Sequence, residues 1–556
     1  MLGAPMGALA RRAACSKLAR AAALVAIVAG AASALAASSL EELPPRAVEV
    51  DRAIGAARVA IALGALAFWA GGFWRGRSAR RAALGLLALG AFASNFNFFV
   101  WTGLHKHELF HYYLGSKYFP ELGYFRLYEC SVAALYPDAH ALPPALVEIT
   151  DLRSKQRRPA AELLSRAAPC RDDFSPERWS AFERDVEAFR RIMGERGIAG
   201  AVRDHGYNPS PAWTLVGRPL ATLVPATPAG LWLIARIDLW LLAGLFAAIS
   251  WAFGFEAMCL AAIAWGACGH TRYQWTGDAF LRQLWLACSI GSICLLRRGR
   301  AALAGALLAF ASLERVFPAL FFLGYGLQQL GHLARERRLA PGVVAFAGGA
   351  ALAAALAAGA GTFVAGRGAA VWGEFADNMV AMNDFTARNA LGLKYLVSFR
   401  ASPPPGVVVP TDPEELEVLI QRVKRETLAS RRWLYGGALL AFSLLFARAA
   451  WLDPGHLADW EALAMGAAMI PILTVPASYY LGFALALVPL SLRRPAIGTA
   501  LLLAVASWGT AVLLYQERAI AYVWSSAALL ALCAFALLAL QRPAPAPPLR
   551  DGASPS

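Results

Sequence analysis

The densest group of reactive side chains lies in the run from His105 to Tyr113, which follows an apolar stretch. Within this run, His107-Glu108-Leu109-Phe110-His111 matches the zincin pattern, in which two histidines one helical turn apart hold zinc and the glutamate activates water. A zinc peptidase needs a third protein ligand, and no other histidine of the chain has a familiar third-ligand context. Zinc-dependent hydrolysis with His107 and His111 as metal ligands therefore stays open as one alternative.

Glu108 also supports an interpretation that needs no metal. A carboxylate at the membrane–water interface, partly shielded from water, has a raised pKa and can take a proton from a hydroxyl group. A matching cation is Arg315, which lies between two apolar runs, and an ion within a membrane is costly unless it faces a cavity. The simpler alternatives are that Glu108 merely ends a helix and that Glu314-Arg315 is a structural marker of topology.

The composition indicates what kind of fold must position these side chains. The chain has 556 residues, of which 58% are hydrophobic and 16% charged, and 52 Lys and Arg against 37 Asp and Glu give a net charge of +15. The apolar residues come in long blocks, which excludes a soluble enzyme, a disordered protein and a fibrous one. The arginines lie between apolar runs, as topology signals do, so we expect membrane lipids and no nucleic acid as partners.

The apolar runs predict an all-α polytopic membrane protein with about 14 transmembrane helices. The predicted order of its parts is an N-terminal pair of transmembrane helices with a cytoplasmic basic loop (1–81), a first core helix (82–102), a cap loop with an amphipathic helix (103–228), core helices (229–365), a second cap loop (366–432), C-terminal transmembrane helices (433–540) and a disordered cytoplasmic tail (541–556). Residues 1–37 contain either the first of these helices or a cleaved signal peptide.

The basic residues predict which side each loop occupies. Short arginine-rich loops fall on one side if both termini are cytoplasmic, which places both long caps and the run around Glu108 on the extracytoplasmic side of a bacterial inner membrane. Cys130 and Cys170 share the first cap and could form a disulfide there. Apolar residues at helical spacing in 176–196 predict an amphipathic helix that lies on the membrane or packs against another cap element, and its arginines could meet lipid phosphates.

Six short motifs follow one another from about residue 82 to residue 495. They are Glu108 before Tyr112-Tyr113, Gly115 and Leu122-Gly123-Tyr124-Phe125-Arg126-Leu127-Tyr128; Gly206-Tyr207-Asn208-Pro209-Ser210-Pro211; Gly277-Asp278; Ala304-Gly305 with Leu313-Glu314-Arg315 and Pro318; Asn389-Ala390-Leu391-Gly392; and Pro476-Ala477-Ser478-Tyr479-Tyr480. In this order they resemble the GT-C membrane glycosyltransferases, especially glycosyltransferase family 87 and its polyprenyl-phosphate-mannose-dependent relatives. The chain departs from that pattern at Glu108, where the family usually has Asp, and at Arg315, where it usually has Lys.

The resemblance implies a GT-C-like bundle that transfers a hexose, such as mannose, from a polyprenyl-phosphate carrier to a lipid, glycan or protein acceptor. Glu108 would be the general base. Donor phosphate would be held by Arg315 with Arg272 and His270, which occupy the preceding outer loop. Substrate contacts are expected from Tyr112, Tyr113, Tyr207, Asp278, Asn389, Asp172 and Asp173, the last two being also compatible with an exposed turn.

Other function classes leave weaker marks on the sequence. A P-loop, a Rossmann glycine fingerprint and a Gly-x-Ser-x-Gly motif are absent, so a nucleotide-sugar donor is not expected. No cofactor is predicted with certainty, and a divalent metal stays open. A non-enzymatic lipid or glycan transporter is the third alternative, although the inverted repeat of broken helices typical of transporters is not evident. The oligomeric state is not predicted.

Overall fold

A computed structural model describes residues 46–70, 77–99, 103–272, 276–339, 342–383, 387–402, 404–452, 456–515 and 518–543. Over these residues the fold is helical, with a single two-stranded sheet. The predicted all-α membrane fold is confirmed at this level. The predicted first span, in residues 1–37, and the tail beyond residue 543 lie outside the described residues.

The first half of the chain contains two helices before the cap, the cap itself and the first apolar helices after it. These elements are α1 (Arg46–Ala70), α2 (Arg77–Asn95), α3 (Lys106–Leu109), α4 (Gly115–Lys117), α5 (Phe119–Leu122), α6 (Leu127–Leu135), β1 (Glu148–Asp151), β2 (Gln156–Pro159), α7 (Ala160–Ala167), α8 (Pro176–Ala201), α9 (Pro211–Leu223), α10 (Pro228–Ala235), α11 (Ile237–Phe253) and α12 (Phe255–Gly266).

The second half continues the bundle on both sides of the second cap. Its helices are α13 (Leu284–Arg297), α14 (Ala301–Glu314), α15 (Phe321–Glu336), α16 (Val343–Ala365), α17 (Ala370–Asn383), α18 (Leu393–Ser398), α19 (Pro413–Ser430), α20 (Arg432–Ala450), α21 (Asp459–Met465), α22 (Ile470–Leu473), α23 (Val488–Arg493), α24 (Pro495–Tyr515) and α25 (Ala519–Leu540).

Six helical segments of the described residues are long and apolar enough to span a membrane. They are Val50–Ala70, Pro228–Phe253, Val343–Ala365, Arg432–Ala450, Pro495–Tyr515 and Ala519–Leu540. Three shorter apolar helices, α12, α13 and α14, have 12 to 14 residues each. The predicted count of 14 spans is therefore not confirmed.

One reason for the difference lies in the predicted spans 461–475 and 479–492. There the chain forms short α-helices separated by 3₁₀ segments, Gly466–Met469 and Ser478–Leu487. Pro471 and Pro489 each occupy the first turn of a new helix. Proline lacks the amide hydrogen that a continuous helix needs, so an apolar run containing prolines need not be one helix.

Close helix packing brings the end of α14 to a fixed place. A Cβ atom added to Gly305 would lie 2.0 Å from the backbone oxygen of Phe346 in α16. Only glycine permits this separation, and small residues at helix interfaces let backbones approach each other in membrane proteins. The contact holds α14, and with it the following Arg315, against the bundle.

The first cap has a hydrophobic core of its own. Leu109, Phe119, Phe182 and other buried residues form a cluster separate from the larger cluster of the bundle helices. Strands β1 and β2 pair antiparallel. The disulfide that the sequence analysis considered between Cys130 and Cys170 is present, with 5.6 Å between their Cα atoms.

The predicted amphipathic helix is α8, and its apolar side packs into the cap. Its aromatic and aliphatic residues Trp179, Phe182, Val186 and Phe189 are buried. On the polar side Arg178 pairs with Glu121, and Arg190 with Glu187 and Glu195. Of the two predicted placements, packing against cap elements is therefore the one observed, and these arginines already have carboxylate partners.

The second cap segment carries α17, α18 and α19, and α17 touches the first cap. The Lys155 ammonium donates to the Asn378 side-chain oxygen at 2.6 Å, and the Asn378 amide donates to Asn208 at 3.1 Å. These bonds link two parts of the chain that lie far apart in sequence.

Candidate active site

Glu108 lies at the start of the first cap, where the chain changes from one helical form to another. Helix α3 continues directly into a π-helical turn, Phe110–Leu114. The Glu108 amide donates to Nδ1 of His105, which caps α3. The side chain is only 4% exposed, and its Oε2 lies 2.5 Å from Nη2 of Arg282. The carboxylate is thus buried and paired with a cation.

The loop that carries Arg282 is fixed by two aspartates. The Asp238 carboxylate accepts the amide hydrogens of Arg282 and Gln283 at 3.0 and 2.9 Å. Asp278 pairs with Arg236 at 3.1 Å, and its backbone oxygen accepts the His105 amide at 3.0 Å. The loop is therefore attached both to α11 and to the segment that bears Glu108, which sets the position of the Arg282 guanidinium.

Arg315 reaches the same place from the other side. It directly follows α14 in extended conformation, and its Nη2 donates to the Tyr112 hydroxyl at 3.2 Å. Its guanidinium carbon lies 5.8 Å from the centre of the Tyr112 ring and 5.9 Å from that of Tyr480. The ion pairs of the described residues do not include one between Glu314 and Arg315, so this arginine faces the tyrosines instead of its neighbour.

Two adjacent tyrosines complete the group. The Arg282 guanidinium lies 4.5 Å from the centre of the Tyr479 ring, a cation–π contact. An isolated β-bridge between Ala390 and Ala477 positions the segment that leads into Tyr479 and Tyr480, and there the Ser478 amide donates to the Asn389 backbone oxygen at 2.7 Å. The motifs around Asn389 and Tyr480 therefore meet, and Asn389 contributes to the site through its backbone.

Burial and the two arginines act on the Glu108 carboxyl in opposite directions. Burial raises the pKa of Glu108 above its ordinary value, while the charges of Arg282 and Arg315 oppose that rise. Burial also raises the pKa of Tyr112 to about 12, against the lowering effect of Arg315. Tyr112 therefore remains a neutral hydroxyl at physiological pH, able to donate or accept a hydrogen bond.

A cavity adjoins the arginine and tyrosine side chains. Its free space is small, about the room that one water molecule occupies. Arg282, Tyr479 and Tyr480 line it together with hydroxyl and aromatic side chains, Thr271, Thr276 and Trp285. It combines cationic, polar and aromatic surface in one place.

Other predicted substrate residues support the site from behind or face elsewhere. The Tyr207 ring lies 6.1 Å from Tyr112, and its hydroxyl bonds to Thr214 at 2.7 Å. A Cβ atom at Gly115 would lie 2.5 Å from the Tyr207 ring, so the glycine of this motif allows their contact. Tyr113 points into the cap, where its hydroxyl donates to the Val224 backbone oxygen at 2.6 Å.

The predicted phosphate ligands Arg272 and His270 have contacts away from Glu108. Arg272 pairs with Asp51 of α1 at 3.3 Å. The His270 ring bonds to Ser525 at 2.7 Å and stacks on Tyr522 of α25. The structure thus brings Arg315, but neither of these two side chains, into contact with the tyrosines around Glu108.

Asp172 and Asp173 lie near the middle of the first cap's sequence, in the 3₁₀ segment Ala168–Asp173, and both are exposed. Asp173 pairs with Arg126. The Asp173 ion pair stays within the cap, and the two carboxylates have the exposed-turn arrangement considered for them.

His107 and His111 belong to a separate group on the same helical segment. His107 Nε2 lies 2.8 Å from Oδ2 of Asp204, which follows α8. One ligand atom from each of His107, His111 and Asp204 lies within 4.8 Å of the others. The Asp204 pKa is lowered, because the His107 hydrogen bond and nearby histidines outweigh the effect of burial.

Sequence reasoning missed four members of these two groups. Arg282 precedes the apolar run of α13, and the argument used for Arg315, that a charge beside a membrane segment is costly, applies equally to it. Tyr479 and Tyr480 were recognised as a motif but not as site residues. Asp204 gave no local signal, since it is 97 residues from its partner His107.

Comparison of the chain with protein-family models, curated proteins and solved structures finds no match.

Proposed function

We propose that the chain is a membrane glycosyltransferase that moves a hexose from a polyprenyl-phosphate carrier to a hydroxyl acceptor, with its site on the extracytoplasmic side of a bacterial inner membrane. The observation that carries the proposal is the convergence of one buried carboxylate, Glu108, with two arginines and three tyrosines. The ordered motifs that resemble GT-C enzymes support the same assignment.

Each chemical requirement of the transfer has a candidate group. The acceptor hydroxyl oxygen attacks the anomeric carbon of the sugar, and the bond from that carbon to the phosphate oxygen breaks. Glu108 takes the hydroxyl proton, and polyprenyl phosphate leaves with the bonding electron pair. Arg282 and Arg315 stabilise the charge on the leaving phosphate, which arginine binds well because its planar fork can make two hydrogen bonds at once.

The ion pair between Glu108 and Arg282 suggests how donor binding prepares the base. A donor phosphate competes with the carboxylate for the Arg282 guanidinium. When the phosphate takes that partner, one influence that lowers the Glu108 pKa is removed, and the carboxylate becomes a stronger base next to the reacting sugar. The rings of Tyr479 and Tyr480 line the small cavity, and stacking of a sugar ring on them requires the cavity to widen on donor binding.

Two features support the cellular assignment. Six helices have the length and composition to cross a membrane, and the donor's prenyl chain would lie in that membrane. The disulfide between Cys130 and Cys170 is the kind of bond that persists in an oxidising compartment, which agrees with an extracytoplasmic cap.

The direct experiment supplies membranes containing the chain with a panel of radiolabelled polyprenyl-phosphate hexoses and measures label in lipid, glycan and protein fractions. Transfer from at least one donor is expected. Glu108→Gln should reduce it by about 10²–10⁴-fold, the range for loss of a general base. Arg315→Gln should mainly weaken use of the donor.

The matched control is Glu426→Gln, which changes an exposed carboxylate on α19 and should leave the rate unchanged. Unreduced transfer in Glu108→Gln, with the variant folded and inserted, would refute the assigned base. Absence of transfer from every donor would refute the reaction.

A zinc peptidase is the alternative that one observation favours, since Asp204 provides the third ligand that the sequence lacked. The Glu108 carboxylate, which would have to activate the zinc-bound water, is instead paired with Arg282. Chelator-sensitive cleavage of a peptide substrate, lost in Glu108→Gln while bound zinc is retained, would favour the peptidase over the transferase.

A further inference from the structure

The group formed by His107, His111 and Asp204 is chemically distinct from the arginine site beside it. Two imidazoles and one carboxylate are the donor set that first-row transition metals prefer, and magnesium and calcium prefer oxygen ligands. We propose that these three residues bind a single zinc ion that fastens the first turn of the cap to the end of α8. This inference concerns metal binding and does not rest on sugar transfer.

The distances suit a metal after small adjustments. Zinc bonds of about 2.0–2.2 Å to nitrogen and oxygen in tetrahedral geometry separate two ligands by roughly 3.3 Å. His107 Nε2 and Asp204 Oδ2 are 2.8 Å apart, and all three ligand atoms lie within 4.8 Å of one another. Zinc would replace the proton that His107 and Asp204 share, and a movement of up to about 1.5 Å would bring the third ligand into range.

His111 is held as metal-binding histidines are held. Its Nδ1 lies 2.6 Å from the backbone oxygen of His107, and the tautomer that donates this hydrogen bond has its ring oriented and Nε2 as the basic nitrogen. Nε2 lies 2.6 Å from the Tyr128 hydroxyl and 3.0 Å from the Ala201 backbone oxygen. Metal binding therefore exchanges the Tyr128 hydrogen bond for a zinc bond at the same nitrogen.

The group is accessible from one side only. The side chains of His107 and Asp204 are 41% and 42% exposed, whereas His111 is buried. An ion can thus reach the two exposed ligands from solvent and then bind the third, buried ligand.

The position of the site suggests a structural role. Glu108 lies between the ligands in sequence, yet its carboxylate turns to Arg282, 2.5 Å away. A metal held by its neighbours would fix the turn from which Glu108 projects, by joining it to a residue 97 positions later. Zinc would then position Glu108 without touching the reacting atoms.

The test uses the full chain, purified in detergent with a tag that does not bind metal, stripped with a chelator and then supplied with Zn²⁺. Bound zinc is measured by mass spectrometry of the metal, and affinity by competition with a chromogenic chelator. One zinc per chain is expected, with a higher midpoint of thermal unfolding. His107→Ala and Asp204→Asn should each weaken zinc binding by at least about 100-fold. Loss of a residue that only hydrogen-bonds to a metal ligand costs about 10–100-fold in affinity, so loss of a ligand itself should cost more.

Two controls make the result specific. His140→Ala removes an exposed histidine of the same cap and should leave zinc binding unchanged. Glu108→Gln should also retain zinc, since the proposal gives that residue no bond to the metal. Failure of the folded wild-type chain to retain stoichiometric zinc would overturn the proposal, as would full zinc affinity in folded Asp204→Asn. Loss of zinc in folded Glu108→Gln would overturn the assigned ligand set.

Discussion

The buried ion pair between Glu108 and Arg282 allows the site geometry to be tested through stability alone. Their side chains are 4% and 13% exposed, and the charged atoms are 2.5 Å apart. Removing one partner of a buried pair leaves the other charge without compensation and costs about 3–5 kcal/mol. We therefore expect Glu108→Gln and Arg282→Gln each to lower the free energy of unfolding by about that amount.

The double variant distinguishes a true pair from two independent losses. When both charges are removed together, no buried charge is left unpaired. The sum of the losses of unfolding free energy in the two single variants should then exceed the loss in the double variant. The expected difference is about 2–3 kcal/mol, the upper part of the range for residues in contact. Arg315 also acts on Glu108, so Arg282→Gln should be the milder of the single changes.

The assay is equilibrium unfolding in mixed lipid–detergent micelles, followed by tryptophan fluorescence for all four chains of the cycle. A surface pair supplies the matched control. Arg191 and Glu187 are 2.9 Å apart with side chains 75% and 30% exposed, so their coupling should not exceed about 0.5 kcal/mol. If the Glu108–Arg282 coupling is no larger than that of the control pair, the inferred buried pairing is wrong.

Three further predictions follow from contacts around the site and in the cap. Replacing Cys130 and Cys170 by Ser should lower the free energy of unfolding by about 4 kcal/mol, from the loop entropy of a 40-residue separation, and reductant should then have no further effect on the unfolding midpoint. Burial raises the pKa of Asp278 to about 7, so the wild-type chain loses stability as pH rises from about 4 to 7, where only the unfolded state has released this proton. In unfolding titrations at fixed pH values, the stability of Asp278→Asn relative to wild type should therefore increase as the pH rises across that range. Asp238→Ala removes two hydrogen bonds to the loop of Arg282 and should cost about 2 kcal/mol, with weaker binding of inorganic phosphate measured by calorimetry.

Part of the site was predictable because intramembrane charge is rare and expensive. Glu108 and Arg315 stand out in the sequence as ions next to long apolar runs, and in the structure Arg315 contacts Tyr112 while Glu108 pairs with Arg282. Arg272 and His270 were selected on another ground, closeness in topology, which does not fix side-chain direction. Their observed partners, Asp51 and Ser525, are more than 200 residues away in the chain.

The remaining parts depend on contacts that no local pattern contains. The position of Arg282 is set by Asp238, which is 44 residues away, and the third member of the histidine group comes from the end of α8. The count of spans failed for a related reason. Hydropathy measures the apolar length of a run, whereas the chain from Asp459 to Arg493 alternates short α-helices with 3₁₀ turns.

The location of the site between two hydrophobic clusters explains why these charges can exist there. Tyr112 packs against the cap cluster and Tyr480 against the bundle cluster, and Arg315 lies over both rings. The Arg282 loop crosses the same boundary, since Phe280 belongs to the cap cluster and Trp285 to that of the bundle. An ion buried in either cluster alone would lose its hydration without gaining hydrogen-bond partners. At the junction it meets hydroxyl groups and a cavity. Any movement of the cap relative to the bundle must change the separation of Glu108 from the tyrosines of the bundle. Ligand binding that draws the two clusters together would therefore act directly on the carboxylate.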